Sequence, residues 1–324
     1  MRSAKANAVR WEAAEPLAQR EPPPFPASIP APGFWGRFLY HAVPFRRRRI
    51  VANLERVFGA ELERWQIRRL AQAAYGHFAR SIFENLMFQR FRRAGPQLRG
   101  ENREALERAI ERGRGVLLLT GHVGNWELTP RLWLRAEAHL HGKVHVVRRR
   151  IRPRFLERYL VEQFRSAGIG VLEKEGSLSK IVTCLRRGEL VAFILDQHAA
   201  RRHSVIVDFF GSPASTFRSL AVAALRTGAP VVPLRFWREP DGTLALRFDE
   251  AIEPVPGRTF RDAVQANTQN YSRVIERMIL DHPEQWIWMH RRWRDWVELR
   301  SSATVRASSV ARASLRSPSA PDSA

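Results

Sequence analysis

Cysteine, lysine and long hydrophobic runs are scarce in this chain of 324 residues. Its single cysteine, Cys184, excludes an internal disulfide and is consistent with a reducing compartment. No stretch reaches the roughly 18 apolar residues that a membrane-spanning helix requires. The N-terminus lacks the apolar core of a secretory signal. We therefore expect a protein that is either soluble or bound to a membrane surface.

Positive charge, by contrast, is abundant. The formal net charge is +22, and arginine supplies nearly all of it, because lysine occurs only at positions 5, 143, 174 and 180. Arginine binds phosphate in a bidentate fork and stays charged when it is partly desolvated. The balance favours a polyanionic partner such as nucleic acid, an anionic bilayer, a phosphorylated lipid or an acidic protein. A compositional bias of the source genome is the alternative for much of the excess.

The composition divides the chain into four segments. Residues 1–33 are rich in proline, alanine and charge, which predicts a disordered extension. Residues 34–96 have a helical pattern, and we expect them to associate with a membrane. Residues 97–298 form the predicted α/β domain. Residues 299–324 contain mainly Ser, Ala and Arg without apolar periodicity, which predicts a disordered basic tail.

The predicted membrane contact is in the first helix of the second segment. Phe34, Trp35 and Phe38 belong to an aromatic-rich apolar stripe, and the basic run Arg46 to Arg49 follows it. An aromatic face beside a cationic patch suits the headgroup region of a bilayer. A helix that packs on its own domain explains the same stripe, and the sequence does not separate the two.

Strands and helices alternate in the third segment. Because this alternation is typical of a largely parallel sheet covered on both faces, we predict an α/β fold with a mostly parallel central sheet flanked by helices and an N-terminal helical segment. The predicted strands are Val116 to Leu119, Val144 to Val147, Ile169 to Leu172, Leu190 to Leu195, Val205 to Phe209, Val231 to Trp237 and Leu244 to Phe248. Helices are predicted between most of them, including Asn125 to Leu140 and Thr216 to Thr227.

One strand end carries a histidine and a nearby carboxylate. The strand at Val116 to Leu119 leads into a turn with glycines at 121 and 124, and His122 lies between them. Ligands of open α/β sheets bind beyond the carboxyl ends of the strands. If Glu127 accepts a hydrogen bond from one ring nitrogen of His122, the other nitrogen is free to act as a general base. The unpaired N–H groups of the following helix can then stabilise an oxyanion.

A purely structural explanation exists for the same residues. His122 can cap the helix, and Glu127 can complement the helix dipole. The strand, turn and helix around the pair favour the catalytic interpretation. It predicts that His122→Ala or Glu127→Ala abolishes activity without unfolding the protein.

The block from Thr120 to Leu128 resembles the H-x4-D/E block of glycerolipid-type acyltransferases. Its Gly-Asn-Trp-Glu wording is typical of the bacterial lipid A biosynthesis acyltransferase family. Together, the similar stretches cover roughly residues 35 to 297. The other blocks that resemble the family are Arg46 to Leu54, Asp196 to His198, Val207 to Pro213, Ala223 to Leu234 and Pro283 to Trp293.

The resemblance implies a reaction and a set of roles. An acyl thioester, either acyl carrier protein or acyl-CoA, donates its chain to a hydroxyl of a lipid A precursor or a related glycolipid. His122 matches the base and Glu127 its acidic partner. The resemblance also implies a peripheral location at the cytoplasmic face of the cell inner membrane. The predicted substrate-binding residues are Asn125, Arg149, Arg165 and Asp196, the last at a strand end where it can orient the site.

Three other functions are alternatives to acyl transfer onto a lipid A precursor. A different glycolipid acceptor is compatible with the same blocks. A nucleic-acid-binding protein would explain the charge, but zinc-finger, RNP and basic-zipper patterns are lacking, so we expect no nucleic-acid partner. A hydrolase would use the same pair of residues, with water in place of the acceptor hydroxyl. We predict no cofactor and no metal site, because the sequence has neither an H-E-x-x-H motif nor a Cys/His ligand pair.

Overall fold

The computed structural model of this protein describes residues 9–12, 29–88, 96–150, 152–173 and 176–294. The predicted tail at 299–324 and most of the predicted extension at 1–33 lie outside these ranges. The ten described strands are β1 (Arg10–Glu12), β2 (Leu98–Glu101), β3 (Val116–Thr120), β4 (Val144–Arg148), β5 (Ile169–Glu173), β6 (Leu190–Ile194), β7 (Ser204–Phe209), β8 (Ser212–Phe217), β9 (Val231–Arg238) and β10 (Leu244–Phe248).

Nine α-helices are described in the same ranges. They are α1 (Phe34–Ala42), α2 (Arg47–Phe58), α3 (Arg64–Met87), α4 (Arg103–Glu111), α5 (Leu128–Ala136), α6 (Arg154–Arg165), α7 (Leu178–Arg186), α8 (Ser219–Thr227) and α9 (Phe260–Asp281). Among the described residues, no helix is both long enough and apolar enough to cross a bilayer.

Eight strands form one sheet in the order β1-β2-β10-β9-β3-β6-β4-β5. Every neighbouring pair is parallel except β9 with β10. This architecture confirms the predicted α/β fold, with a mostly parallel sheet, flanking helices and an N-terminal helical segment. Strands β3 and β6 are adjacent, so the residues that follow their carboxyl ends meet at one edge of the sheet.

The central strand β3 shows why both faces of the sheet are covered. Its side chains alternate between two apolar clusters: Leu117 and Leu119 lie in one, and Val116 and Leu118 in the other. All four are fully buried. A strand that is buried on both faces is expected to be continuously apolar, as this one is.

The N-terminal helices pack on one face of the sheet. Helix α3 begins at a capping box in which the side chains of Glu63 and Gln66 bond to each other's backbone N–H groups. Helix α1 lies across α3 and presents Phe34, Trp35 and Phe38 to the outside, where these three rings contact one another. All three are more than half exposed. The three rings are therefore directed to the outside, while Leu39 of the same helix packs against the core.

Three predictions about secondary structure are wrong in whole or in part. The helix predicted at Asn125 to Leu140 is shorter, because α5 covers only Leu128–Ala136. Arg10–Glu12 falls in the predicted disordered extension but pairs with β2, because Trp11 stacks on Phe248 with ring centroids 6.2 Å apart. The predicted helix from Thr216 begins later, at Ser219. The residues before it form strand β8, which turns back on β7 through Phe210 and Gly211, both at positive φ.

Candidate active site

The candidate site lies where the chain leaves β3. His122 follows the strand by two residues and is half-buried. Its turn is held by backbone bonds to a distant segment: the N–H of Ile287 donates to the His122 carbonyl at 3.2 Å, and that of Gly124 to the Gln285 carbonyl at 3.1 Å. The residues after α9 therefore lie alongside the turn and close one side of the site.

Gly124 makes this turn possible. Its φ is +63°, a conformation that residues with a Cβ rarely adopt. A Cβ at this position would also lie 2.6 Å from the carbonyl oxygen of Phe236 in β9. Both constraints require glycine at position 124. The conformation of the backbone therefore explains this residue of the block from Thr120 to Leu128.

Asp196 is the hydrogen-bond partner of His122. It follows β6, is fully buried, and accepts from His122 Nδ1 at 2.6 Å and from the His122 backbone N–H at 2.7 Å. The indole Nε1–H of Trp286 donates to the same carboxylate at 2.7 Å. Three donors therefore fix one carboxylate, and through it the orientation of the imidazole.

These contacts also fix the charge of Asp196. Burial alone would raise the pKa of this carboxyl, but His122, through its charge and its hydrogen bonds, and the Trp286 N–H outweigh burial and hold the pKa well below its usual range. Asp196 is thus an ionised acceptor at neutral pH.

The second ring nitrogen of His122 faces Gln197. The Gln197 side-chain amide donates to His122 Nε2 at 3.0 Å and to Nε2 of His290, also at 3.0 Å. Because the ionised Asp196 requires a proton on Nδ1, Nε2 carries the lone pair, which is the state a general base needs. A substrate hydroxyl that donates to Nε2 has to take the place of the Gln197 amide.

His290 and Arg292 belong to the segment that closes the site. Burial, and then the neighbouring His122, lower the pKa of His290 to about 4, so it is neutral at neutral pH. Arg292 is fully buried and donates to the carbonyls of Gln197 and Ser215 at 3.1 and 2.9 Å. This buried cation holds the backbone of the residue that bridges the two histidines.

Glu127 lies elsewhere in the site. It immediately precedes α5, and its carboxylate is not among the hydrogen-bond partners that the structure gives to His122. Burial raises its pKa, while Arg131, His122 and Arg148 oppose that rise. Glu127 also lines a small cavity with Arg131 and Tyr159. The sequence predicted that Glu127 accepts the hydrogen bond of the ring, whereas the structure gives that bond to Asp196. A catalytic role for Glu127 stays a prediction.

Asn125 is buried and bonded to protein groups. Its amide donates to Glu84 at 3.0 Å, and its side-chain oxygen accepts from Asn85 and from the backbone of Leu128 at 3.0 and 3.1 Å. The N–H of Thr129 bonds to the Asn125 carbonyl. The sequence predicted that unpaired N–H groups at the start of this helix stabilise an oxyanion. Two of them, those of Leu128 and Thr129, are instead hydrogen-bonded to Asn125. These contacts indicate that Asn125 positions the turn against α3.

Arg149 and Arg165, the two predicted binding arginines, line one groove. It measures about 1220 Å³ and lies between β4, α6 and β5. Both side chains are exposed. The charged residues that line it are Arg149, Arg150, Arg152, Arg154, Glu157, Arg158, Glu162, Arg165 and Glu173. Six of these residues are arginines and three are glutamates, so the groove carries a net positive charge. Two of the glutamates are paired, Glu157 with Arg148 and Glu173 with Arg150.

An α/β sheet with a carboxylate-held histidine at its strand ends is typical of an enzyme that uses a general base. Comparison with known proteins specifies the class. A family model described as bacterial lipid A biosynthesis acyltransferase matches residues 23–295. The chain belongs to this family, which confirms the resemblance seen in its sequence blocks.

Curated relatives fall into two groups. The chain is 29% identical over 232 residues to a phosphatidylinositol mannoside acyltransferase of Mycolicibacterium smegmatis, covering 69% of this chain and 71% of the relative. It is 28% identical over 225 residues to one from Mycobacterium tuberculosis, covering 68% of each. It is also 30% identical to a lipid A biosynthesis lauroyltransferase of Escherichia coli, but over 121 residues, 36% of this chain and 38% of the relative.

Sequence reasoning missed three residues of the site: Gln197, Trp286 and His290. Gln197 directly follows Asp196 in the block from Asp196 to His198, which resembles the family. His290 and Trp286 belong to the block from Pro283 to Trp293, which resembles the family but carries no local sign of a catalytic role. Trp286 bonds to Asp196, and His290 to Gln197, across separations of 90 and 93 residues along the chain, which no local pattern encodes.

The lowered pKa of Asp196 predicts a pH dependence of stability. A carboxyl whose pKa is lower in the folded state than in the unfolded state stabilises the fold above its unfolded pKa, and this contribution is lost as pH falls through the folded pKa. Asp196→Asn removes it. We expect the free energy of unfolding of the variant to lie furthest below wild type near pH 7, and the gap to narrow below about pH 4. Urea unfolding measured from pH 7 to pH 3 checks this; a gap that is constant with pH would contradict it.

Proposed function

We propose that this protein transfers a fatty acyl chain from an acyl thioester to a hydroxyl of a glycolipid acceptor, with His122 as general base. The observation that carries the proposal is the hydrogen bond of 2.6 Å between His122 Nδ1 and the buried Asp196 carboxylate, in a chain that belongs to the lipid A biosynthesis acyltransferase family. The donor is acyl carrier protein or acyl-CoA, and the acceptor is a lipid A precursor or a related glycolipid.

The chemistry follows from the two ring nitrogens. The acceptor hydroxyl replaces the Gln197 amide and donates to Nε2 of His122. As its oxygen attacks the thioester carbonyl, the proton passes to Nε2, and the resulting imidazolium is stabilised by Asp196 at Nδ1. The tetrahedral intermediate then collapses by breaking the carbon–sulfur bond, and the leaving thiolate takes the proton. We propose that Glu127, the acidic residue of the H-x4-E pattern, also supports the imidazolium.

The cationic groove accounts for the acceptor's anionic groups. Arg149 directly follows β4 and Arg165 is the last residue of α6, and the groove that both line is large enough for a phosphorylated sugar. Arginine holds phosphate through paired N–H groups. The relatives are a phosphatidylinositol mannoside acyltransferase and a lauroyltransferase of lipid A biosynthesis, and we infer an acceptor that combines sugar and phosphate.

We propose that the aromatic face of α1 holds the enzyme at a membrane surface, next to its lipid substrates. Phe34, Trp35 and Phe38 are exposed together, and the basic run Arg46–Arg49 follows the helix. Aromatic rings enter the headgroup region, while arginines attract anionic lipids. This supports a peripheral position at the cytoplasmic face of the inner membrane.

The proposed base predicts distinct defects in three variants. His122→Ala should reduce acyl transfer to background, and Asp196→Asn should lower kcat by about 10²- to 10⁴-fold, because the amide no longer enforces a proton on Nδ1. Glu127→Gln should lower kcat as well. His139→Gln, at an exposed histidine, is the matched control and should be unchanged. Radiolabelled acyl transfer to each of the two glycolipid acceptors measures this.

Omission of the acceptor tests the hydrolase alternative in the same assay. A transferase releases little free fatty acid without a lipid acceptor and consumes the thioester when one is added. Equal thioester consumption with and without acceptor, or near wild-type transfer by His122→Ala, would overturn the proposed function.

The groove predicts a defect in acceptor binding. Replacing Arg149 and Arg165 together by alanine should raise KM for a phosphorylated acceptor at least about tenfold, because each charge-assisted bond contributes about 1.5–3 kcal/mol. The KM for the donor should stay the same. Arg112→Ala, in an exposed ion pair distant in sequence from the groove residues, is the control. If a dephosphorylated acceptor shows the same rise in KM, the groove does not recognise phosphate.

The exposed face of α1 predicts binding to vesicles. Trp35→Ser with Phe38→Ser should weaken binding to vesicles containing anionic lipid on the order of tenfold or more, since two apolar side chains lose their burial. Phe260→Ser, at an exposed aromatic on α9, is the control. Co-sedimentation with vesicles measures the bound fraction; equal binding of the double variant and wild type would contradict the proposed surface.

A further inference from the structure

Three potential metal ligands converge on the edge of the sheet opposite the candidate active site. His145 is the second residue of β4, Cys184 lies near the end of α7, and Glu189 immediately precedes β6. Their ligand atoms, an imidazole nitrogen, the thiol sulfur and a carboxylate oxygen, all lie within 4.8 Å of one another. The sequence predicted no metal site, because these donors are separated along the chain and form no recognised ligand pair.

The local contacts hold the three groups in place. Nε2 of His145 and the Glu189 carboxylate are 2.8 Å apart, and the backbone N–H of Glu189 donates to the Cys184 carbonyl at 3.1 Å. Cys184 is buried, while the side chains of His145 and Glu189 are 15% and 17% exposed. An ion can therefore reach the cluster from solvent, while the sulfur is shielded.

Gly170 fixes the imidazole. It is the residue of β5 directly opposite His145, and a Cβ there would lie 2.1 Å from His145 Nδ1. The ring thus lies against the bare backbone of β5, with Nε2 directed at Glu189.

The donor set matches zinc. Zn²⁺ takes imidazole nitrogen, thiolate and carboxylate, with water able to complete a tetrahedron. A thiolate and a carboxylate also balance its two charges. Cysteine binds zinc as a thiolate, so binding releases the thiol proton of Cys184 to solvent.

We propose that His145, Cys184 and Glu189 form a zinc site that ties β4, α7 and β6 together. Strand β6 runs between Glu189 at one end and Asp196 at the other, which separates the cluster from the candidate base by roughly 20 Å. The site is therefore structural: it stabilises the fold without taking part in the proposed acyl transfer.

Titration of the tag-free, full-length protein with Zn²⁺ tests this, in competition with a chromophoric chelator after removal of metals. Wild type should bind one Zn²⁺ per chain, and Cys184→Ser and His145→Gln should each abolish that binding. Gly170→Ala should weaken it by about 10- to 100-fold, because it displaces the ring without removing a ligand. His139→Gln is the matched control: its Nδ1 lies 3.5 Å from Glu137, without a thiol nearby, and its loss should change nothing.

Thermal unfolding provides the second readout. Saturating Zn²⁺ should raise the midpoint of wild type and leave Cys184→Ser unchanged, while both proteins unfold at similar temperatures without the ion. Should Cys184→Ser fail to fold, His145→Gln is compared in its place. Wild type that binds zinc no better than the variants, or a rise in midpoint shared by all of them, would overturn the site.

Discussion

The contact between the buried Asp196 carboxylate and His122 is the interaction on which the candidate site depends. It joins the ends of two adjacent parallel strands, β3 and β6, and so uses the sheet itself to set the distance between an acid and a base. Burial would make an unpaired carboxylate costly, but here three donors compensate for it and keep it ionised. The same bonds direct a proton to Nδ1 and leave Nε2 free.

The C-terminal segment completes this arrangement. It contributes the indole of Trp286 to Asp196, His290 to the Gln197 amide, and the buried cation of Arg292 to the backbone of Gln197. On the other side, Asn125 ties the turn to helix α3 through Asn85 and Glu84. That helix packs against α1, which carries the exposed aromatic face. Under the proposed function, the membrane contact and the base are therefore linked by one continuous set of packed elements.

Much of this could be predicted from local sequence. Continuous apolar strands and alternating helices predicted the sheet, and the strand, turn and glycines around His122 located the candidate site. The partner of the imidazole was harder, because Glu127 is near in sequence whereas Asp196 is near only after β6 pairs with β3. Likewise, the edge strand that contains Trp11 was not predicted, because it depends on the contact between the rings of Trp11 and Phe248. Each miss is a contact between distant residues, which spacing along the chain does not report.

The protonation of the His122 ring tests this arrangement most directly. Nitrogen-15 NMR of the imidazole at neutral pH distinguishes a protonated ring nitrogen from one with a free lone pair. A proton on Nδ1 and a free Nε2 are expected in wild type, with the preference lost in Asp196→Asn and retained in Glu127→Gln. A proton on Nε2 in wild type, or a preference lost in Glu127→Gln and kept in Asp196→Asn, would show that Asp196 does not hold the base.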